Sequence, residues 1–229
     1  MRVEIPGRLS SEHPDSTIAA ALFDFDETII DLEAEHVAAS TALCRERGAD
    51  FERLPESIRR ASGTRIIDEL RLIREHFGWR DSDDALLARR QQLFDEICRT
   101  AALEPMPGVR EVVRALRERG IPLAITTSAV REAIETILTR IGLRDAFTLI
   151  VDGGDVRHGK PDPECYLVTA RRLGAAPADC VVFEDAAVGV LAAKRAGMFC
   201  VAVRNPNAQT LQDLSAADVI VDSFRSLLR

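Results

Sequence analysis

Six short apolar runs punctuate the chain at residues 18–25 (IAAALFDF), 121–126 (IPLAIT), 147–151 (FTLIV), 180–184 (CVVFE), 199–203 (FCVAV) and 218–221 (DVIV). Each is rich in β-formers, bounded by polar or glycine residues, and apolar without alternation, the pattern of strands buried on both faces. Helical patterns lie between them. Val109, Val112, Val113 and Leu116 fall at i, i+3, i+4 and i+7, and Gly120 follows as a stop. Val130, Ala133, Ile134, Ile137, Leu138 and Ile141 repeat the stripe and end at Gly142; Tyr166, Leu167, Ala170 and Leu173 repeat it again and end at Gly174. Strand and helix alternate from Gly108 to the C-terminus, which predicts βαβ units and an α/β fold built on a doubly wound parallel sheet.

The first strand breaks this rhythm. Residues 32–105 carry helical patterns and no strand pattern: Ile66, Ile67, Leu70, Ile73 and Phe77 make one stripe, and Leu86, Leu87, Leu93, Phe94 and Ile97 another. Pro105-Met106-Pro107-Gly108 marks the return to the main unit. The expected organisation is therefore an α/β core from residues 18–31 and 106–229, with a helical insertion over 32–105. Residues 1–17 hold Pro6, Glu12, His13, Pro14 and Asp15 and no apolar core, so they are expected to be a mobile polar arm and not a secretory signal.

Composition narrows the function classes. The chain has 229 residues and a formal net charge of −7, which argues against non-specific nucleic-acid binding and a polybasic membrane anchor. No apolar run reaches the ~18 residues a membrane span needs. Five cysteines, an odd number without CxxC spacing, are expected to be reduced thiols in a cytoplasm. Of the 30 basic residues only Lys160 and Lys194 are lysine. A position that keeps lysine among so many arginines is a candidate for needing a compact ammonium.

Candidate chemistry sits at four strand ends, where open α/β sheets place their ligands. Asp24-Phe25-Asp26-Glu27-Thr28 closes the first run, Thr126-Thr127-Ser128 the second, His158-Gly159-Lys160-Pro161-Asp162-Pro163 follows the third, and Glu184-Asp185 closes the fourth. Hydroxyls and backbone N–H groups at a helix N-terminus hold phosphate, and paired carboxylates suit a hard cation such as Mg²⁺. Singly, each has a plain structural reading: an Asp-rich turn, a capping Ser128, a solvated loop lysine, a polar strand end. Their occurrence together and in this order favours a site.

With DFDET at 24–28, Thr127, GKPDP at 159–163 and FEDA at 183–186, the chain resembles the haloacid dehalogenase superfamily, in its beta-phosphoglucomutase and phosphoglycolate-phosphatase-like branch. The resemblance spans residues 18 to at least 204 and implies a Rossmann-like core with a helical cap. It implies Asp24 as a nucleophile that forms an aspartyl-phosphate, and Asp26 as general acid and base. Thr127, Ser128 and Lys160 would bind phosphate, and Asp24, the Asp26 carbonyl, Asp185 and either directly or indirectly Glu184 would hold Mg²⁺. His36 and Arg65 would be cap residues that meet substrate. Each also has a bland reading, His36 as a polar residue on the first insertion helix and Arg65 as a solvated helix cation. Asp31 and His36 match the phosphoglucomutase-like subgroup, whereas Glu27 departs from the usual glycine. The implied activity is Mg²⁺-dependent hydrolysis of a small phosphorylated metabolite, a sugar phosphate among the candidates, with no nucleic-acid or membrane partner. A hexose phosphomutase is the alternative. A metal-independent dehalogenase, which would leave Glu184 and Asp185 unused, and a non-catalytic binding protein, at odds with the intact motif set, are weaker alternatives. Leaving group and oligomeric state are not legible.

Overall fold

The computed structural model describes residues 2–8, 18–59, 66–206 and 212–229. Its sheet has six parallel strands: β1 (Ala20–Phe23), β2 (Leu123–Thr126), β3 (Leu149–Val151), β4 (Cys180–Glu184), β5 (Phe199–Val203) and β6 (Val219–Val221). They lie in the order β3-β2-β1-β4-β5-β6, so the predicted doubly wound α/β architecture is present. The chain runs outward from β1 through β2 to β3, then crosses back to β4. The direction therefore reverses between β1 and β4, which pair with Phe23 opposite Phe183. Asp24 and Glu184 emerge side by side at this switch point, where doubly wound sheets bind ligands.

Successive side chains of a strand face opposite sides, and both sides are covered. Ala21, Phe23, Ile125, Val181 and Phe183 pack with Val112 and Leu116 of α5 (Val109–Glu118) and Ile134 and Ile137 of α6 (Arg131–Arg140). Ala20, Leu22, Val182 and Ala202 pack with Tyr166 and Ala170 of α7 (Glu164–Leu173) and Val190 and Ala193 of α8 (Ala187–Arg195). The stacked rings of Phe23 and Phe183, 4.5 Å apart, form part of the first layer. Two-sided burial is why the strand sequences show no alternation.

Between β1 and α5 the chain forms α1 (Glu33–Glu46), α2 (Glu56–Arg59), α3 (Ile66–Phe77) and α4 (Asp83–Thr100). Ser82 caps α4 by accepting the Ala85 N–H, and acidic Asp83 and Asp84 follow in the first turn. Both connections to this helical unit run side by side: Ile30 and Pro105 form an antiparallel bridge, and the Met106 N–H donates to the Ile29 carbonyl at 2.8 Å. Arg140, at the end of α6, donates to the Cys98 and Ala101 carbonyls at the end of α4.

One expectation is corrected. Where residues 1–17 are described they are not a mobile polar arm: Val3 and Ile5 are buried, and Glu4 N–H donates to the Leu227 carbonyl at 2.7 Å. Alternating apolar residues at 3 and 5 give this stretch one face that docks on the C-terminal segment, and the polar residues beside them hide that face in the sequence. Residues 9–17 lie outside the described residues.

Candidate active site

The Asp24 N–H continues the β1–β4 ladder by donating to the Phe183 carbonyl at 2.9 Å, which fixes the residue at the carboxyl end of the central strands. Lys160 reaches it from the loop between β3 and α7. Its ammonium contacts Asp24 Oδ1 at 2.5 Å, Glu184 Oε1 at 2.6 Å and the Thr126 carbonyl at 3.4 Å. Those three acceptors account for the three donors of an ammonium. A planar guanidinium could not address three acceptors around one point, which explains a lysine here in an arginine-rich chain.

Glu184 is fully committed to structure. Oε1 accepts from Lys160 and, at 2.8 Å, from the buried Tyr166 hydroxyl. Oε2 accepts the Asp185 and Ala186 N–H groups at 3.0 and 3.1 Å. Asp185 is held by the Thr28 hydroxyl, which donates to its Oδ1 at 2.8 Å. Tyr166 does not stand out in the sequence as a site residue, and Thr28 enters it only as the last position of the DFDET motif. Tyr166 belongs to a core stripe, and Thr28 carries no hint that its partner lies on another strand.

Ligand oxygens of Asp24, Glu184 and Asp185 lie within 4.8 Å of one another, all buried. Burial raises the pKa of Asp24 well above its ordinary value; Lys160 opposes the rise, and Glu184 and Asp26 add to it. Asp185 is raised likewise, by burial first and then by Glu184, Asp24 and Glu27. Burial alone would depress Lys160, but Asp24 and Glu184 outweigh it and hold the ammonium charged. One lysine does not balance this many acids, and the oxygen-only donor set suits a hard divalent cation. A second trio, His158, Asp162 and Glu164, lies on the lysine loop. There Glu164 Oε2 accepts the Arg157 and His158 N–H groups at 3.0 and 2.8 Å, which accounts for the cluster.

Thr127 is buried beside β2; its N–H donates to the Val151 carbonyl at 3.0 Å and its hydroxyl accepts the Ala129 N–H at 3.1 Å. Ser128 lines the cavity but does not cap α6: the helix begins at Arg131, and its N-cap is Val130. The backbone passes close here, since a Cβ on Gly153 would lie 2.8 Å from the Ser128 carbonyl oxygen.

A cavity of about 120 Å³ opens over these groups. Asp24, Asp26, Glu27, Thr127, Lys160 and Asp185 form its floor, and Glu33, His36, Val37, Phe51 and Glu69 come from the helical unit. His36 stands on α1 with Nε2 3.2 Å from Asp26 Oδ1. Its Nδ1 lies 2.7 Å from Nη2 of Arg90, an arginine on α4 that is 1% exposed and absent from the sequence reading. An arginine can only donate, so Nδ1 accepts and the ring proton sits on Nε2, directed at Asp26. Asp31 accepts the Glu33 N–H at 3.2 Å at the start of α1. Arg65 lies outside the described residues.

Comparison with known proteins identifies the family. The profile of the haloacid dehalogenase-like hydrolases matches residues 18–197. Validoxylamine A 7'-phosphate phosphatase of Streptomyces hygroscopicus subsp. limoneus is 33% identical, over 88% of this chain and 92% of its own. Fructose-1-phosphate phosphatase YqaB of Escherichia coli is 34% identical, over 81% and 96%. In structure the chain is similar to beta-phosphoglucomutase from Clostridium difficile, with a TM-score of 0.79 at 24% identity, over 92% and 93% of the two chains.

Proposed function

The chain belongs to the haloacid dehalogenase-like hydrolases, and on that premise we propose that it is a Mg²⁺-dependent phosphatase acting on a small phosphorylated carbohydrate. The observation that carries the reading is the buried set at the sheet switch point, in which Lys160 bridges Asp24 and Glu184 beside Asp185. The carbohydrate substrate class follows the relatives' names.

Asp24, Asp185 and the Asp26 carbonyl would hold the metal; Glu184, with its oxygens committed to Lys160, Tyr166 and two backbone N–H groups, fits better as the anchor of Lys160. When bound, Mg²⁺ supplies positive charge against the phosphoryl oxygens. Asp24 Oδ forms a bond to phosphorus as the bond to the leaving oxygen breaks, and Asp26 gives that oxygen its proton. Water then attacks the phosphorus of the aspartyl-phosphate, Asp26 takes the water's proton, and inorganic phosphate leaves with Asp24 restored. Such proton transfer contributes roughly 10²–10⁴-fold. Lys160, Thr127 and Ser128 bind and orient the phosphoryl oxygens. Without them a carboxylate meeting a phosphate faces a repulsion of about 4 kcal/mol per unit-charge pair at 4 Å and an effective dielectric of 20. Residues 32–105 act as a cap that excludes water and reads the leaving group, with His36 and Arg65 its substrate-side residues.

All five cysteines are unpaired and buried, in keeping with a cytoplasmic setting. Among the described residues no helix is long and apolar enough to cross a membrane.

Phosphate release from a panel of hexose, hexitol and amino-cyclitol phosphates tests the reading, with Mg²⁺, with EDTA, and with Asp24→Asn. Turnover that needs Mg²⁺ and vanishes in Asp24→Asn is expected. Turnover that survives either change overturns it, and isomerisation of glucose 1-phosphate without release would assign the chain to the mutases instead.

A further inference from the structure

Glu27 is the one non-glycine among the described residues with a left-handed backbone, at φ 59°. Its N–H donates to the Ile30 carbonyl at 2.7 Å, so the conformation is pinned by the tight turn that follows Asp26. Glycine adopts this conformation freely and an L side chain does so under strain. A side chain kept at such a position, beside a candidate site, calls for a function.

Glu27 lines the same cavity as Asp24 and Asp185. Asn205, beyond β5, steadies it by donating to Oε2 at 3.4 Å. Yet Glu27 stands outside the compact trio formed by the oxygens of Asp24, Glu184 and Asp185. Mg²⁺ keeps several of its waters when carboxylates bind it, and groups that accept hydrogen bonds from such waters tune affinity from outside the ligand set.

We propose that Glu27 is an outer holder of the divalent cation: its carboxylate accepts a hydrogen bond from a cation-bound water and tightens binding at the expense of a strained backbone. The inference rests on the reading of Asp24 and Asp185 as metal ligands. It deepens that reading by assigning a role to a residue whose motif position needs only glycine.

Direct Mn²⁺ binding to the unliganded protein, read from the loss of the free-ion electron paramagnetic resonance signal, tests it, alongside melting temperature without metal. Glu27→Gln removes the charge and keeps the strain; Glu27→Gly removes both. Both variants are expected to weaken Mn²⁺ binding by about tenfold, the lower end of the range for such outer groups. Only Glu27→Gly is expected to melt higher than the parent. Mn²⁺ affinity unchanged in both variants overturns the proposal. A parent protein that binds no better than Asp185→Asn overturns the metal site itself, a separate failure.

Discussion

Gly189 and Glu184 touch as no other pair of side-chain type could: a Cβ on Gly189 would come within 1.7 Å of Glu184 Oε1. Gly189 lies in the first turn of α8, one helical turn beyond the strand end that carries Glu184. The missing side chain leaves room for the carboxylate that anchors Lys160.

Gly189→Ala is therefore predicted to push Glu184 aside and release Lys160 from its position against Asp24, even though alanine is the better helix former. The catalytic rate should fall by about 10²-fold, the scale of losing one fixed electrostatic group. Circular dichroism should show the helix content retained. Near-normal turnover would mean that Glu184 has slack the packing does not reveal.

Lys160→Arg should fail to restore what Lys160→Met loses. The guanidinium keeps the charge but cannot place three donors on Asp24, Glu184 and the Thr126 carbonyl. Lys160→Met leaves buried carboxylates without their partner, a change that costs about 3–5 kcal/mol when a buried pair is broken. Paired measurements of phosphate release and denaturant midpoint check both parts.

The raised pKa values of Asp24 and Asp185 fix the sign of a pH effect. Both rise above the ordinary 3.8 on folding, so the metal-free native state binds more protons than the unfolded chain. The associated stability is full below that value and is lost as pH climbs through the raised values. At the proposed site Mg²⁺ would bind the ionised carboxylates, so the melting temperature it adds should grow from pH 5 to pH 8. A gain that is flat or shrinks with pH would contradict the assignment of these two groups.

Arg90 offers a case in which stability and activity separate. Its Nε and Nη1 atoms are buried without partners among the described residues, and each such atom costs about 1–3 kcal/mol. Arg90→Met removes that cost along with the donor that fixes the His36 proton on Nε2. The variant should melt no lower than the parent while its rate falls by about tenfold, a fraction of the roughly 10²–10⁴-fold that an intact acid–base group contributes. A lower melting point with full activity would make Arg90 a packing residue.

The strands, three helical stripes and four motifs are legible because they depend on local pattern: two-sided burial erases alternation, and glycine stops mark the helix ends. Helix α8 has no comparable stripe because it packs through Gly189, Ala192 and Ala193, whose small side chains give little hydrophobic signal. Lys160 is legible as a rare residue type in a fixed loop, but its two carboxylate partners lie 136 and 24 residues away in sequence. Thr28, Tyr166 and Arg90 show the same limit. Each acts through a contact between elements, and nothing in its own neighbourhood announces the partner. Residues 2–8 are illegible for the opposite reason, since two buried side chains among polar neighbours form no pattern long enough to read.

The bridge between Ile30 and Pro105 sets the two ends of the helical unit against each other. To the sheet, then, the whole unit is no larger than a turn: it enters and leaves through one hydrogen-bonded junction. Apart from contacts such as His36 to Asp26 and Arg140 to the Cys98 carbonyl, what lies between those residues can change without interrupting a strand of the sheet. On the proposed function, a change of roof would change the leaving group that is read and keep the phosphoryl chemistry below it.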